Sequence, residues 1–217
     1  MEIDLLKNYP RTPRDTQSRN NEKTEAVRSV ARQFGKDFFD GERKYGYGGF
    51  KYNPRFWQPV IPDIKSFYKL SADSRVLDVG CAKGFMMYDL ECLIPNICTR
   101  GVDISSYAVA NAKAEIKDKV QLACATDLPF EDASFDLVVS INTVHNLDQK
   151  NCAKALQEIT RVSKGHSYIT VDAYRNEEEK QRMFEWNLTA KTIMHVDEWK
   201  EFFSDVGYTG DYYWFIP

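Results

Sequence analysis

The sequence predicts an α/β fold: a doubly wound, mostly parallel sheet of six or seven strands with helices on both faces, preceded by an N-terminal helical lid. Three observations predict it. The apolar run Val76-Leu77-Asp78-Val79 passes straight into a small-residue turn, Gly80-Cys81-Ala82-Lys83-Gly84, and then into an apolar-faced helix from Phe85. From Arg75 onward, strand and helix signals alternate, which implies parallel strands joined by crossover helices. Asp103 closes a second strand about twenty residues after the turn, where such folds place an acid that binds ribose hydroxyls.

Taken in order, residues 1–21 are polar, carry Pro10, Pro13 and several arginines, and read as an extended arm. A helix is expected over 22–39, because Val27, Val30, Ala31, Phe34 and Phe38 fall on one face. The run Tyr45-Gly46-Tyr47-Gly48-Gly49-Phe50-Lys51-Tyr52 cannot be a regular helix and reads as a pliable aromatic loop. Phe56, Trp57 and Val60 lead into a helix ending near Leu70. These 69 residues form the lid segment, and 70–217 the main domain. A third strand is read around 120–123, a fourth within 134–142 and a fifth at 168–171. Asp148 caps a helix with Cys152, Ala155, Leu156, Ile159 and Val162 on its apolar face. Helices follow over 177–188 and 196–206. Only one strand, 211–216, is evident after Gly207, so the far edge of the sheet holds either one strand or a shortened pair.

The turn after the first strand offers backbone N–H groups at a helix N-terminus, a good place for polar or anionic ligand groups. A nicotinamide dinucleotide is disfavoured. Its fingerprint Gly-x-Gly-x-x-Gly needs the last glycine three residues after the second, whereas here Gly84 follows Ala82 by two. Asp103 suits ribose because one carboxylate can accept from two hydroxyls. Further loops end the third and fourth strands, Cys124-Ala125-Thr126-Asp127-Leu128 and Asn142-Thr143-Val144-His145.

With these four elements in this order, the chain resembles the class I S-adenosylmethionine (SAM)-dependent methyltransferases, which have a Rossmann-like fold. The resemblance spans about 70–174. It implies SAM as cofactor, with S-adenosylhomocysteine (SAH) as product. It puts the methionine part on Asp78, Gly80, Ala82 and Gly84, with Cys81 in the same turn. It puts the ribose on Asp103, beside Ile104. Asp127 would approach the adenine amino group, with Thr126 and Leu128 beside the ring. Ala82 replaces a glycine common in the family, and the turn tolerates it if that position keeps a negative φ.

Ligands of such folds gather at the carboxyl ends of the strands, so His145 is the candidate general base if the acceptor must lose a proton. The alternative is a histidine that orients its loop. Asn142 either orients the cofactor or caps the strand. Tyr47 either lines the site or packs the lid. Tyr45, Tyr52 and Lys51 are the candidate acceptor contacts. The expected activity is methyl transfer to a small molecule, such as a sugar derivative or another anionic or hydroxyl-rich metabolite. A protein or RNA methyltransferase, or a SAM-binding accessory protein without turnover, is the alternative.

Composition limits the other classes. The net charge is −3, with twelve lysines and arginines against six acids between Lys7 and Arg55. The pI near 5.7 argues against a nucleic-acid partner. No apolar run approaches the roughly 20 residues of a bilayer span. Five cysteines without a Cys-x-x-Cys pair argue against a metal and for free thiols. A cytoplasmic location is the expectation.

Overall fold

The computed structural model describes residues 1–11 and 23–217. The element order is α1 (Glu25–Ala31), α2 (Lys36–Asp40), α3 (Ile61–Tyr68), β1 (Arg75–Val79), α4 (Phe85–Leu93), β2 (Cys98–Asp103), α5 (Ser106–Ala110), β3 (Val120–Leu122), β4 (Leu137–Ile141), α6 (Gln149–Val162), β5 (Ser167–Tyr174), α7 (Glu177–Trp186), β6 (Met194–His195), α8 (Val196–Asp205) and β7 (Asp211–Phe215). Short 3₁₀ turns lie at Arg43–Tyr45, Ala114–Lys119 and Val144–Asn146. The sheet has seven strands in the order β3-β2-β1-β4-β5-β6, with β7 also on β5.

Every ladder of this sheet is parallel. The open question at the far edge resolves as two strands that share one neighbour. β7 pairs with Tyr168–Asp172 and the two-residue β6 with Ala173 and Tyr174. The connection between them is helix α8 rather than a tight turn, which is why they run parallel instead of forming a hairpin.

Strand side chains alternate between two cores. Leu77, Val138, Ile169 and Val171 pack with Leu156 and Ile159 of α6 and Trp199 and Phe203 of α8. Val76, Leu137, Val139 and Tyr168 pack on the other face with Ile61 and Ile64 of α3 and Leu90 and Ile94 near α4. Burial on both faces explains the near-continuous apolar strands. Leu5, Val60 and Ile61 join the second cluster, so residues on both sides of position 69 share one core.

Three local expectations change. The helix expected over 22–39 is two helices: Phe34 takes a left-handed φ of 49° and Gly35 caps α2. That break lets the Phe34 carbonyl accept from the Ser105 hydroxyl. The described part of the N-terminal arm is docked, not extended away: Ile3 N–H donates to Tyr212 O at 2.9 Å and Leu5 is buried. Positions 12–22, including the expected helix start, lie outside the described residues. The glycine loop is fastened, not pliable, because the amides of Tyr47, Gly49 and Phe50 donate to Phe38 O, Phe39 O and the Asp40 carboxylate.

Candidate active site

The turn between β1 and α4 is built around Asp103. Oδ2 of this carboxylate accepts from Ala82 N–H at 2.7 Å and Oδ1 from Ser105 N–H at 2.8 Å. It therefore ties the β1 turn to the β2 tip. Two carboxylate oxygens offer about four acceptor positions, so two bonds leave room for a pair of hydroxyls. Burial raises its pKa and the backbone donors oppose that rise.

Each small residue of the turn has a separate reason. Gly80, at φ 84°, faces Thr143, and an added Cβ would lie 2.2 Å from its Oγ1. Gly84, at φ 74°, faces Ile116. Ala82 departs from the negative φ expected of it and sits at 51°. Left-handed alanine costs about 1–2 kcal/mol, and the Asp103 bond holds it there. The amides of Gly80 and Cys81 both go to Val102 O, and that of Gly84 to Cys81 O. These N–H groups, read from the sequence as ligand donors, are instead used to close the turn. Cys81 is turned inward, where Gly101 makes room for its sulfur and that of Met87.

Beside the turn, Asp78 is buried, and burial followed by the Asp103 charge pushes its pKa up to about 8. On the β2 and β3 tips, Ile104 is 59 % exposed, an apolar surface of the kind that a flat ring covers. The Asp127 side chain is also exposed. Thr126 pairs with Cys124. Leu128 belongs to the core, and its amide donates to Glu158 at 2.8 Å. Its side chain thus packs under the loop and not beside a ring above it.

At the β4 tip, Asn142 adopts φ 52°, which asparagine tolerates well. Its Oδ1 accepts from Thr170 Oγ1 at 2.9 Å, so it fastens β4 to β5. His145 is buried, and its Nδ1 accepts from the Asp172 amide at 2.9 Å. Burial lowers its pKa, against the opposing pull of the Asp172 carboxylate. The ring is accordingly neutral with its proton on Nε2, an arrangement that offers a hydrogen-bond donor more readily than a base. His145 O also receives Lys191 and Thr192 N–H at 3.0 Å each. His145→Ala leaves the Asp172 amide buried and unpaired and is expected to cost about 1–3 kcal/mol. Denaturant unfolding would measure it, and His145→Asn, which restores an acceptor, should recover part of the loss.

Residues 23–52 lie over the carboxyl edge of the sheet. At one side Lys23 donates to Glu185 O and Trp186 O, and Arg28 to Asn187 O. Positive charge there suits the C-terminal end of α7. At the other side Phe34 O meets Ser105, and Lys83 Nζ donates to Asp40 Oδ2 at 2.7 Å. Tyr47 is 47 % exposed, yet its phenol is shifted upward by burial and then by Tyr9 and Asp103. Its ring packs on Phe38, Phe39 and Phe50 at 4.3–5.9 Å between centroids, so the side chain is part of the lid's own aromatic layer, with Asp103 nearby. Tyr52 serves elsewhere: its hydroxyl donates to Asp89 at 2.7 Å and its ring packs on Phe85 and Tyr88, along α4. Tyr45 lies under Lys44, and Lys51 is exposed next to Tyr52. The sequence reading missed Asp172, Asp40, Lys83 and Asp89, since nothing in their spacing sets them apart from surface charge.

Fold and site together define a Rossmann-like α/β domain whose β1 turn is tied to the β2 tip by Asp103. The family described as "Methyltransferase domain" matches residues 77–171. The chain is 25 % identical over 150 residues to 27-O-demethylrifamycin SV methyltransferase of Amycolatopsis mediterranei, covering 64 % of this chain and 55 % of that one. It is 29 % identical over 145 residues to the tRNA (carboxymethyluridine(34)-5-O)-methyltransferase of Arabidopsis thaliana, covering 66 % and 33 %. The solved YcgJ protein of Bacillus subtilis superposes with a TM-score of 0.53 at 22 % identity, over 67 % of this chain and 66 % of that one. The matched segment, residues 77–171, is a methyltransferase domain of the class I SAM-dependent kind. The chain spans between a third and three-fifths of the first curated relatives it matches. Among the described residues no helix is long and apolar enough to cross a membrane.

Proposed function

We propose that this chain transfers the methyl group of SAM to a small-molecule acceptor and releases SAH. Family membership supports SAM as donor. The residues present fit it: Asp103 with acceptor capacity to spare, exposed Ile104 and Asp127, and Asp78 beside the turn. When bound, SAM supplies an electrophilic methyl on a sulfonium. The chain's own task is to hold the acceptor in line with that methyl, since positioning supplies much of the rate in such displacements. His145, with its proton on Nε2 at the β4 tip, and Tyr47, near Asp103, are the candidate groups to orient the acceptor.

The observation that carries the acceptor's size is the cover formed by residues 23–52, fastened to α7 on one side and to the β1 turn and β2 tip on the other. A roofed cleft admits a small molecule more readily than a folded RNA or protein. The relatives' names divide on this point, one acting on a rifamycin and one on a tRNA.

The test is SAH formation from SAM with three acceptor sets: small hydroxyl and amine metabolites, bulk tRNA, and a protein extract. Turnover confined to the first set supports the proposal. Turnover confined to tRNA or protein replaces the acceptor class. SAM binding without turnover in any set identifies an accessory protein.

A further inference from the structure

We infer that Asp40 is a latch, a positioning residue whose bond to Lys83 holds the cover shut over the cofactor site and sets how fast that site opens. The inference deepens the proposed function and rests on its placing of SAM at the β1 turn.

One carboxylate joins three separate parts of the chain. Oδ2 accepts from Lys83 Nζ and from the Tyr107 hydroxyl, each at 2.7 Å, and Oδ1 accepts from Phe50 N–H at 3.0 Å. Lys83 also donates to Phe50 O at 3.0 Å. Asp40 and Phe50 belong to the cover, Lys83 to the glycine turn, and Tyr107 to α5 directly after the β2 tip. The Lys83 side chain is only 9 % exposed and that of Asp40 26 %, so the pair is largely shielded from water and salt. These donors hold the Asp40 carboxyl below its ordinary pKa against the opposing effect of burial. The carboxylate is therefore charged wherever the protein is folded at neutral pH.

What makes this a latch and not one more structural contact is the rest of the cover. Residues 23–56 supply no side chain to the three hydrophobic clusters, and Ala31 and Phe39 are their buried apolar side chains. The cover is held by polar anchors and by a thin aromatic layer, in which Phe39 meets Tyr107 and Phe50 stacks on Phe85 at 4.9 Å. Segments with few core contacts open by local unfolding, independently of the sheet. Once the cover lifts, Lys83 meets water, so no unpaired buried charge opposes opening beyond the lost bonds. The Asp40 bonds thus set much of the difference between closed and open states. Tyr47 is carried on the same loop, so opening also moves it away from Asp103.

The test is hydrogen exchange together with ligand release in Asp40→Asn, Tyr107→Phe and Lys83→Met. A hydrogen bond to a charged group shifts an equilibrium by roughly tenfold to a hundredfold. In the ligand-free protein, Asp40→Asn should speed exchange of the Tyr47, Gly49 and Phe50 amides by that factor, with β1 and β4 amides unchanged. Tyr107→Phe should give a smaller acceleration. Lys83→Met, which removes the same bond from the other side, should match Asp40→Asn, and the double variant should add little. Release of labelled SAH should quicken in the same order. Cover amides that exchange at the wild-type rate in Asp40→Asn and Lys83→Met overturn the latch. Faster exchange with unchanged SAH release overturns its control of the site. A wild-type protein that binds neither SAM nor SAH overturns the cofactor assignment, which the exchange measurement does not need. If Asp40→Asn loses protection throughout the sheet, Tyr107→Phe and Lys83→Met decide the matter.

Discussion

Asp103→Ala loses SAM and SAH binding, by at least about a hundredfold, because the change removes two kinds of interaction at once. Hydrogen bonds to a charged acceptor are worth about 1.5–3 kcal/mol each, and a ribose would make two. The same carboxylate holds Ala82 in a left-handed conformation and fixes the Ser105 amide. Without it the turn relaxes toward a negative φ at Ala82 and no longer presents the same surface. Asp103→Asn keeps one acceptor and the side-chain shape, and its loss should be smaller. Isothermal titration with SAH gives the affinities, and circular dichroism confirms that the sheet persists. An alanine variant that binds SAH within threefold of the wild type would remove Asp103 from the site.

The second large effect concerns pH. Burial, and then the Asp103 charge, push the Asp78 carboxyl up to about 8 from an ordinary 3.8. A raised carboxyl pKa acts on stability in the direction opposite to a salt-bridged one. Below about pH 4 both the folded and unfolded chains hold this proton and Asp78 has no effect. Between about 4 and 8 only the folded chain holds it, so stability declines as pH rises, by up to about 1.4 kcal/mol per unit. Above 8 the decline levels off. Asp78→Asn is therefore expected to flatten the profile and to stabilise the ligand-free protein at pH 8. Urea unfolding from pH 5 to 9 measures it, and a wild-type profile that does not fall over this range would refute it.

The same carboxyl couples to ligand charge. SAM brings a sulfonium and an ammonium, and a cation beside Asp78 favours its ionised form. Binding should then release a proton near neutral pH and tighten as pH rises from 6 to 8. Calorimetry in two buffers of different ionisation enthalpy reads the proton directly. Absence of release, with normal affinity, would place the positive groups away from Asp78.

Much of the domain was legible in the sequence because its signals are local. Val76–Val79 followed by three small residues fixes a buried strand and a tight turn whatever surrounds them. Asp103 was legible for the same reason, lying about twenty residues on at the end of the short strand read through Arg100-Gly101-Val102. The apolar face of α6 and its Asp148 cap needed nothing beyond their own periodicity. The family resemblance drawn from these elements agrees with the comparisons.

What the sequence could not supply depends on pairs of residues far apart in the chain. The far edge of the sheet was undecided because β6 is only two residues long, and it exists because Ala173 and Tyr174 of β5 offer it an edge. The break at Phe34 and Gly35 looks like continuous helix until Ser105 claims the Phe34 carbonyl. Left-handed Ala82 is held by a carboxylate 21 positions away. Lys83 reads as a solvated lysine in a turn, and only folding brings it to Asp40 and buries it. The sequence by itself determined the strand order's local pieces, the turn and the acid at the β2 tip, because short-range sterics and periodicity suffice for them. The tertiary structure alone decided how residues 23–52 are anchored and how His145 is protonated, because burial and long-range hydrogen bonds set both.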